Sequence, residues 1–278
     1  MMNLRSQVGN IATYFILAFG AILIFFPLYL TVIVAMKTPA ESAQSFFALP
    51  SSFYLENFKE VINRVNFGTY VMNSVIITGI SLILITYFVP MVSYSISRNS
   101  DKKYYKFLLI YFTLGIFIPF QVIMIPVAKM MTQFHLLNIT GLIILYVTFS
   151  LIQGVFLFVG YLRTIPYELE EAAYMDGSTV WGTYNKIIFP LLRPMTATLL
   201  IMNALWIWND FLLPLIMLNK SPKFWTLQLF QYNFKSQYSF DYNLAFASFL
   251  MSMVPIMIVY IFTQRHIIAG LTNGAVKS

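Results

Sequence analysis

The sequence has no cysteine, only two histidines (His135 and His266) and few charged side chains. Without cysteine, disulfides, thiolate metal sites and cysteine nucleophiles are excluded, and two histidines leave little for an imidazole-based metal site. The chain carries 17 Lys and Arg and 10 Asp and Glu in 278 residues, whereas roughly one quarter of a soluble domain is charged. This shortage of charge excludes an ordinary water-soluble globule.

Hydrophobic residues make up 59% of the chain, and its mean hydropathy is +0.75. One buried core of this length cannot hide that much apolar surface, so lipid must solvate the rest. The formal net charge is +7, but the Lys and Arg residues lie in short clusters between apolar runs. Such clusters indicate how the chain is oriented across a membrane, and no nucleic-acid partner is expected.

Six apolar segments are long enough to cross a bilayer as helices, which takes about 20 residues each. They lie at about 11–36, 70–96, 107–130, 139–162, 194–219 and 242–264. The first is too long for the apolar stretch of a cleavable signal peptide. None of the six shows the in-out alternation of a barrel strand. The sequence therefore predicts an all-α membrane protein in which residues 1–278 form one six-helix transmembrane domain.

The positive-inside rule orients these segments by the Lys and Arg residues of the connecting loops. One side has ten of these residues and the other has seven, and the densest group is Arg98 to Lys106. We therefore place both termini, that loop and the segment 163–193 in the cytoplasm. Segments 38–70 and 220–241 then lie outside.

The segment 163–193 has the pattern of two short amphipathic helices joined by a sharp turn. Gly177 is suited to a left-handed stop, and Ser178 to an N-cap for the second helix. The first predicted apolar stripe is Ile165, Leu169, Ala172 and Ala173, and the second is Val180, Trp181, Tyr184, Ile187 and Ile188. On amphipathicity alone, the pair either lies on the headgroups and under its own bundle, or docks another protein.

The spacing of this segment resembles the EAA loop of ABC importer membrane subunits. The matching residues are Glu171-Ala172-Ala173, Gly177, Ile187 and Phe189-Pro190, with Phe189 where the family usually has Leu. The surrounding residues are similar to those of the carbohydrate-uptake branch, of which maltose-type permeases are the best known. That branch is also matched by Trp208-Asn209-Asp210-Phe211 with Pro214, and by the tail from Gly270 to Lys277.

The resemblance implies a permease subunit of a bacterial cytoplasmic membrane. It also implies a second, usually different permease, two ATP-binding subunits and an extracytoplasmic solute-binding protein. The chain has no Gly-x-x-x-x-Gly-Lys-Ser/Thr loop, so ATP hydrolysis is expected on a separate subunit. The loop would couple to that ATPase through Glu171, Ala172, Ala173, Asp176 and Gly177, and the tail would reach it too. No cofactor or metal ion is expected.

Asp210 is the only formal charge well inside an apolar segment. Intramembrane ionisable groups mark transport pathways, but they also join helices by hydrogen bonds, and both roles stay open for Asn209 and Asp210. Trp206 and Trp208 are candidates for stacking on sugar rings.

Two other classes of membrane protein are alternatives to the ATP-driven sugar importer. An ion-gradient-driven secondary transporter usually needs several buried carboxylates, and Asp210 alone is thin support. An intramembrane enzyme needs paired aspartates, a serine with a base or a His-Glu-x-x-His helix, and the sequence has none of these sets. A permease for a non-sugar solute such as glycerol phosphate is also compatible with the chain.

Overall fold

The computed structural model describes residues 4–63, 67–234 and 241–275, and the regular elements within these ranges are all helical. This confirms the all-α class. The helices are α1 (Leu4–Ala35), α2 (Pro39–Gln44), α3 (Glu56–Asn63), α4 (Phe67–Arg98), α5 (Lys103–Gly115), α6 (Phe120–Gln133), α7 (Ile139–Leu162), α8 (Glu168–Met175), α9 (Val180–Leu191), α10 (Arg193–Asn209), α11 (Leu212–Leu218), α12 (Leu227–Gln231) and α13 (Tyr242–Ala275).

Three of the described helices are long and apolar enough to cross a membrane by themselves: Thr13–Ala35 within α1, then α4 and α7. Two bent helix pairs, α5 with α6 and α9 with α10, raise this number to five if each pair is one span. The apolar part of α13, Tyr242–Ile258, is shorter. The described segments therefore agree with a multi-pass membrane protein, and the count of six remains a prediction.

The segment predicted as one helix over 107–130 is broken in the structure. α5 ends at Gly115, α6 begins at Phe120, and the two are bent by 109°. Pro119 has extended backbone angles and precedes α6. Proline has no amide hydrogen and disfavours helical geometry in the residue before it, which accounts for the break.

The segment predicted over 194–219 is also interrupted. α10 ends at Asn209, Asp210 has extended backbone angles (φ −73°, ψ 131°), and α11 starts at Leu212. At the other end, α9 and α10 are bent by 71°.

The chain forms two compact units, and one comprises residues up to Gly68 together with Gln231–Pro255. Its centre is the carboxyl end of α1, where helical carbonyls lack partners within the helix. Asn57 Nδ2 donates to the carbonyls of Ala35 and Lys37, and Asn243 Nδ2 donates to those of Val34 and Lys37, all within 2.8–2.9 Å. Two buried amides thus cap α1.

The second unit comprises Thr69–Phe230 and the residues from Ile256. α7 lies in its centre, where Leu142, Tyr146, Phe158 and Leu162 are fully buried. An ideal Cβ placed on Gly154 of α7 would lie 2.4 Å from Cγ1 of Val89 on α4. The absence of a side chain at position 154 therefore permits the close approach of these two helices.

Candidate functional site

The predicted coupling loop contains the helix, turn and helix that its sequence indicates. α8 ends in a left-handed glycine, Gly177, with φ +79°. The amide of Ser178 donates to the carbonyl of Ala173 at 2.9 Å, and that of Gly177 donates to Tyr174 at 3.0 Å. This is the paired hydrogen-bond pattern of a Schellman stop.

The second helix of the loop starts one residue later than the sequence suggests. Thr179 has the extended N-cap conformation, and its hydroxyl accepts a hydrogen bond from the amide of Gly182 at 3.1 Å. The predicted cap, Ser178, is therefore wrong. α9 contains one π-helical turn over Tyr184–Ile188, and Pro190 lies within its last turn.

The buried side of α8 differs from the predicted apolar stripe. Ile165 and Ala173 are buried as expected, but Leu169 and Ala172 are exposed. The most deeply buried side chain of α8 is instead Glu170, which is 1% exposed. In α9, Tyr184 and Ile188 are buried, while Val180 and Trp181 are 63% and 52% exposed.

Glu170 is buried because each of its carboxylate oxygens has a donor on α4. The Tyr94 hydroxyl donates to Oε2 and the Arg98 Nε donates to Oε1, both at 2.6 Å. Arg98 also donates to the carbonyl of Ile165 at 3.2 Å. A buried carboxylate requires such an ion pair with full hydrogen bonding.

The other side of the loop is open. Four of the five predicted coupling residues, Glu171, Ala172, Asp176 and Gly177, are exposed, and Ala173 is 6% exposed. Four large apolar side chains of the loop are exposed as well: Leu169, Met175, Val180 and Trp181. Several large apolar side chains exposed within one short segment are typical of a surface that contacts another protein or the membrane interface. Met175 is the extreme case, at 88% exposure.

A pocket of about 350 Å³ lies between the loop and the carboxyl-terminal end of α4. Its walls include Arg98, Tyr167, Tyr174, Trp181 and Tyr184. The guanidinium carbon of Arg98 lies 5.7 Å from the centre of the Tyr167 ring, and the rings of Trp181 and Tyr184 are stacked at 5.7 Å. The pocket is therefore aromatic, with one cation in its wall.

The predicted pathway residues lie around the break between α10 and α11. Asp210 accepts hydrogen bonds from the Tyr146 hydroxyl at 3.0 Å and from the amide of Leu212 at 3.1 Å. Asn209 is exposed, and its Nδ2 donates to the carbonyl of Leu205 at 2.8 Å. Trp208 is 7% exposed and Trp206 is 38% exposed, with its ring edge-on to Tyr146 at 5.4 Å.

Polar contacts that the sequence reasoning missed join α7 to α10. Besides Tyr146 with Asp210, the Ser150 hydroxyl donates to Oδ1 of Asn203 at 2.5 Å. Tyr146 and Ser150 are four residues apart and therefore lie on one face of α7. Neither pair stands out in the sequence, because single polar residues within apolar segments show their partners only in three dimensions.

Among the residues that the structure describes, no group of three or more His, Asp or Glu side chains is arranged to hold a metal ion. His135 lies after α6 with φ 56°, a turn position. The side chain of His266 and residues 276–278 at the end of the predicted tail contact lie outside the described residues.

Comparison with known proteins identifies the family. Residues 89–273, more than half of the chain, match the model of the binding-protein-dependent transport system inner membrane component. The multiple sugar-binding transport system permease protein MsmG of Streptococcus mutans is 46% identical over 278 residues, covering 99% of this chain and 100% of that protein. The probable starch degradation products transport system permease protein AmyC of Thermoanaerobacterium thermosulfurigenes is 37% identical, covering 90% of this chain and 91% of its own.

Among solved structures, a chain of a bacterial ABC transporter for import of the acidic polysaccharide alginate has a TM-score of 0.80 and 20% identity. The match covers 95% of this chain and 98% of that one. At this identity the likeness concerns the fold. Together with the apolar helices, the family match and the relatives show that this chain belongs to the inner-membrane permease components of binding-protein-dependent ABC transport systems.

Proposed function

We propose that this protein is one of two permease subunits of an ATP-driven sugar importer, and that its coupling loop docks on the ATPase. The observation that carries the docking is the exposed side of the loop, where Leu169, Ala172 and Met175 are uncovered while Glu170 is buried against α4. A loop that exposes several large apolar side chains beside its exposed acidic residues has the surface of a binding site rather than of a solvated linker.

The sugar assignment draws its support from the relatives. The name of MsmG refers to transport of multiple sugars, and the name of AmyC refers to transport of starch degradation products. Both proteins align with nearly the whole chain. The aromatic Trp206 is 38% exposed beside the interrupted end of α10. Its apolar ring face suits the apolar face of a pyranose. A substrate with phosphate, such as glycerol phosphate, would instead require cationic side chains along its path.

The proposed assembly contains this permease, a second permease, two ATP-binding subunits and the solute-binding protein on which the family's transport depends. In the proposed orientation both termini and the segment 163–193 are cytoplasmic, and the chain crosses the membrane six times. The Lys and Arg distribution supports this orientation. ATP-driven closure of the ATPase subunits would then act on the loop through Glu171, Ala172, Ala173, Asp176 and Gly177.

Gly177→Val tests the coupling role. Gly177 has φ +79° and no heavy atom within 4 Å of an added Cβ, so valine meets backbone strain without a steric clash. Because β-branched residues disfavour the left-handed region, the turn between α8 and α9 should be displaced. We expect the variant to reach the membrane and to lose ATP-dependent sugar uptake in vesicles.

Gly160→Val is the matched control, since Gly160 on α7 also has open space but lies in a regular helix. Uptake by Gly177→Val at the level of this control would contradict the coupling role. Loss of uptake on collapse of the ion gradient, with ATP still present, would contradict ATP as the energy source. Uptake of glycerol phosphate in preference to sugars would contradict the substrate class.

A further inference from the structure

The buried carboxylate of Glu170 ties the coupling loop to α4 by two separate hydrogen bonds. Tyr94 and Arg98, its two donors, lie one helical turn apart on α4 and each contacts a different carboxylate oxygen at 2.6 Å. Two contacts on one rigid group fix the rotation of α8 as well as its distance from α4. A single hydrogen bond would leave that rotation free.

Arg98 extends the attachment to the chain that leads into α8. Its second guanidinium nitrogen donates to the carbonyl of Ile165 at 3.2 Å, and its carbon lies 5.7 Å from the centre of the Tyr167 ring. The planar guanidinium thus holds the start of the loop and Glu170 together. Lysine, with a single compact charge, cannot reproduce this fork.

Tyr94 connects the same turn of α4 to the second helix of the loop. Its hydroxyl is bound to Glu170 on α8, and its ring lies 5.2 Å from that of Tyr184 on α9. Tyr184 is 4% exposed, and its ring stacks on Trp181. Both helices of the loop therefore contact α4 through one side chain.

We propose that Glu170, Arg98 and Tyr94 form a rigid link through which movement of the coupling loop is transmitted to α4. This inference rests on the coupling role proposed above and assigns Glu170 as a positioning residue that does not itself contact the ATPase. A buried ion pair is a poor source of net stability, because desolvation of both charges offsets their attraction. Its value here is the single geometry that it imposes on loop and helix.

The energy that the loop receives can move α4 only if the two behave as one body. Without the Glu170 contacts, the short connection between Leu162 and Glu168 could bend and absorb the displacement. The ATPase would then hydrolyse ATP without moving the permease. The link therefore predicts loss of coupling, measured as sugar imported per ATP hydrolysed, with ATP hydrolysis itself retained.

The first test compares Glu170→Gln with Glu168→Gln in the full importer complex in proteoliposomes. Both variants lose one negative charge from α8, but Glu168 is exposed. We expect Glu170→Gln to lower the ratio of sugar imported to ATP hydrolysed by at least about fivefold, the lower end of typical coupling between sites. Glu168→Gln should keep the native ratio. Equal ratios in the two variants would overturn the link.

Tyr94→Phe provides a second variant that leaves both charges and the aromatic ring in place. It removes one of the two bonds to Glu170, so we expect a smaller loss of coupling in the same direction. A native ratio in Tyr94→Phe together with a native ratio in Glu170→Gln would reject the proposal. Arg98→Lys should also lose coupling, because its ammonium cannot bond Glu170 and Ile165 together.

Spin labels measure the link directly. The chain has no cysteine, so two exposed positions outside the proposed docking surface can be labelled: Asp101→Cys, three residues after α4, and Glu168→Cys at the start of α8. In the otherwise native complex we expect the distance between the labels to be the same without nucleotide and with ATP. In Glu170→Gln we expect it to change between these states. A change of equal size in both backgrounds would contradict a rigid link.

These results separate the link from the coupling role on which it rests. If Gly177→Val abolishes uptake while Glu170→Gln behaves like Glu168→Gln, the loop couples but Glu170 does not transmit. If Gly177→Val imports sugar normally and no ATPase copurifies with the permease, the coupling role itself is wrong.

Discussion

Tyr146 on α7 donates a hydrogen bond to Oδ2 of Asp210, at the point where the fifth apolar segment leaves helical geometry. The other oxygen, Oδ1, accepts from the amide of Leu212 at the start of α11. One carboxylate therefore joins α7 to the end of α10 and also accepts a hydrogen bond from the first backbone amide of α11. This arrangement favours the role of Asp210 as a helix joint over direct contact with the transported solute.

Replacing Asp210 by alanine should destabilise the protein in detergent. The change removes the hydrogen bond from the Leu212 amide, worth about 0.5–1.5 kcal/mol, and leaves the buried Tyr146 hydroxyl without its acceptor, at a cost of about 1–3 kcal/mol. Tyr146→Phe should cost less, about 1 kcal/mol, because the hydrogen bond from the Leu212 amide is retained. Thermal unfolding of the purified protein measures both effects, and Asp210→Asn serves as the conservative control.

The same variants distinguish the joint from a pathway role. If Asp210 is a joint, the melting temperature falls and the KM for sugar uptake stays near the native value in Asp210→Asn. A large rise in KM for Asp210→Asn, with an unchanged melting temperature, would instead assign the carboxylate to substrate contact.

The segment after α1 has a pH-dependent contact centred on Glu41. Hydrogen bonds from the Ser51 hydroxyl, the Thr38 amide and the Ser51 amide lower the pKa of Glu41 from its ordinary value of 4.5 to about 2. Because the pKa is lower in the folded state, the contact stabilises the segment fully above about pH 4.5 and is lost as the pH falls toward about 2. Above about pH 4.5 we expect the native protein to be thermally more stable than Glu41→Gln. Near pH 2 the two proteins should have the same thermal stability.

Ser51→Ala removes the largest cause of the lowered pKa. In the Ser51→Ala background, the protein with Glu41 should lose its higher thermal stability, relative to the same protein with Gln at this position, at a higher pH than the native protein does. A difference between the native protein and Glu41→Gln that stays constant down to the lowest pH would show that the carboxylate does not stabilise this segment.

The coupling loop shows how far the sequence predicts local structure. The left-handed turn at Gly177 follows from the conformational freedom of glycine after a polar residue, and the structure confirms it. The buried side of α8 does not follow, because Glu170 is charged and its partner Arg98 is 72 residues away along the chain. A stripe drawn from hydrophobicity places the carboxylate outside, and only the fold reveals the pair.

The apolar segments show a similar limit. A charge-free window predicts a long apolar helix, and Thr13–Ala35, α4 and α7 are helices of the length and composition that a span needs. The same window does not reveal where a helix bends, because the residues on both sides of the bend are equally apolar. The break before α6 has a local signal in Pro119. At Asp210 the local signal is Pro214, which cannot donate to the carbonyl four residues earlier, and the hydrogen bond from Tyr146 comes from a distant helix.

Close packing of α4 and α7 at Gly154 gives the last prediction. A Cβ at this position would lie 2.4 Å from Cγ1 and 3.4 Å from Cβ of Val89, so Gly154→Ala forces the helices apart at a cost of about 1–3 kcal/mol. Gly160→Ala on the same helix meets nothing within 4 Å and should leave the melting temperature near the native value or raise it. Adding Val89→Ala to Gly154→Ala removes the colliding methyl groups and should restore most of the lost stability. If Val89→Ala instead adds its own loss to that of Gly154→Ala, the two residues are not in contact and the packing of α4 against α7 is wrong at this point.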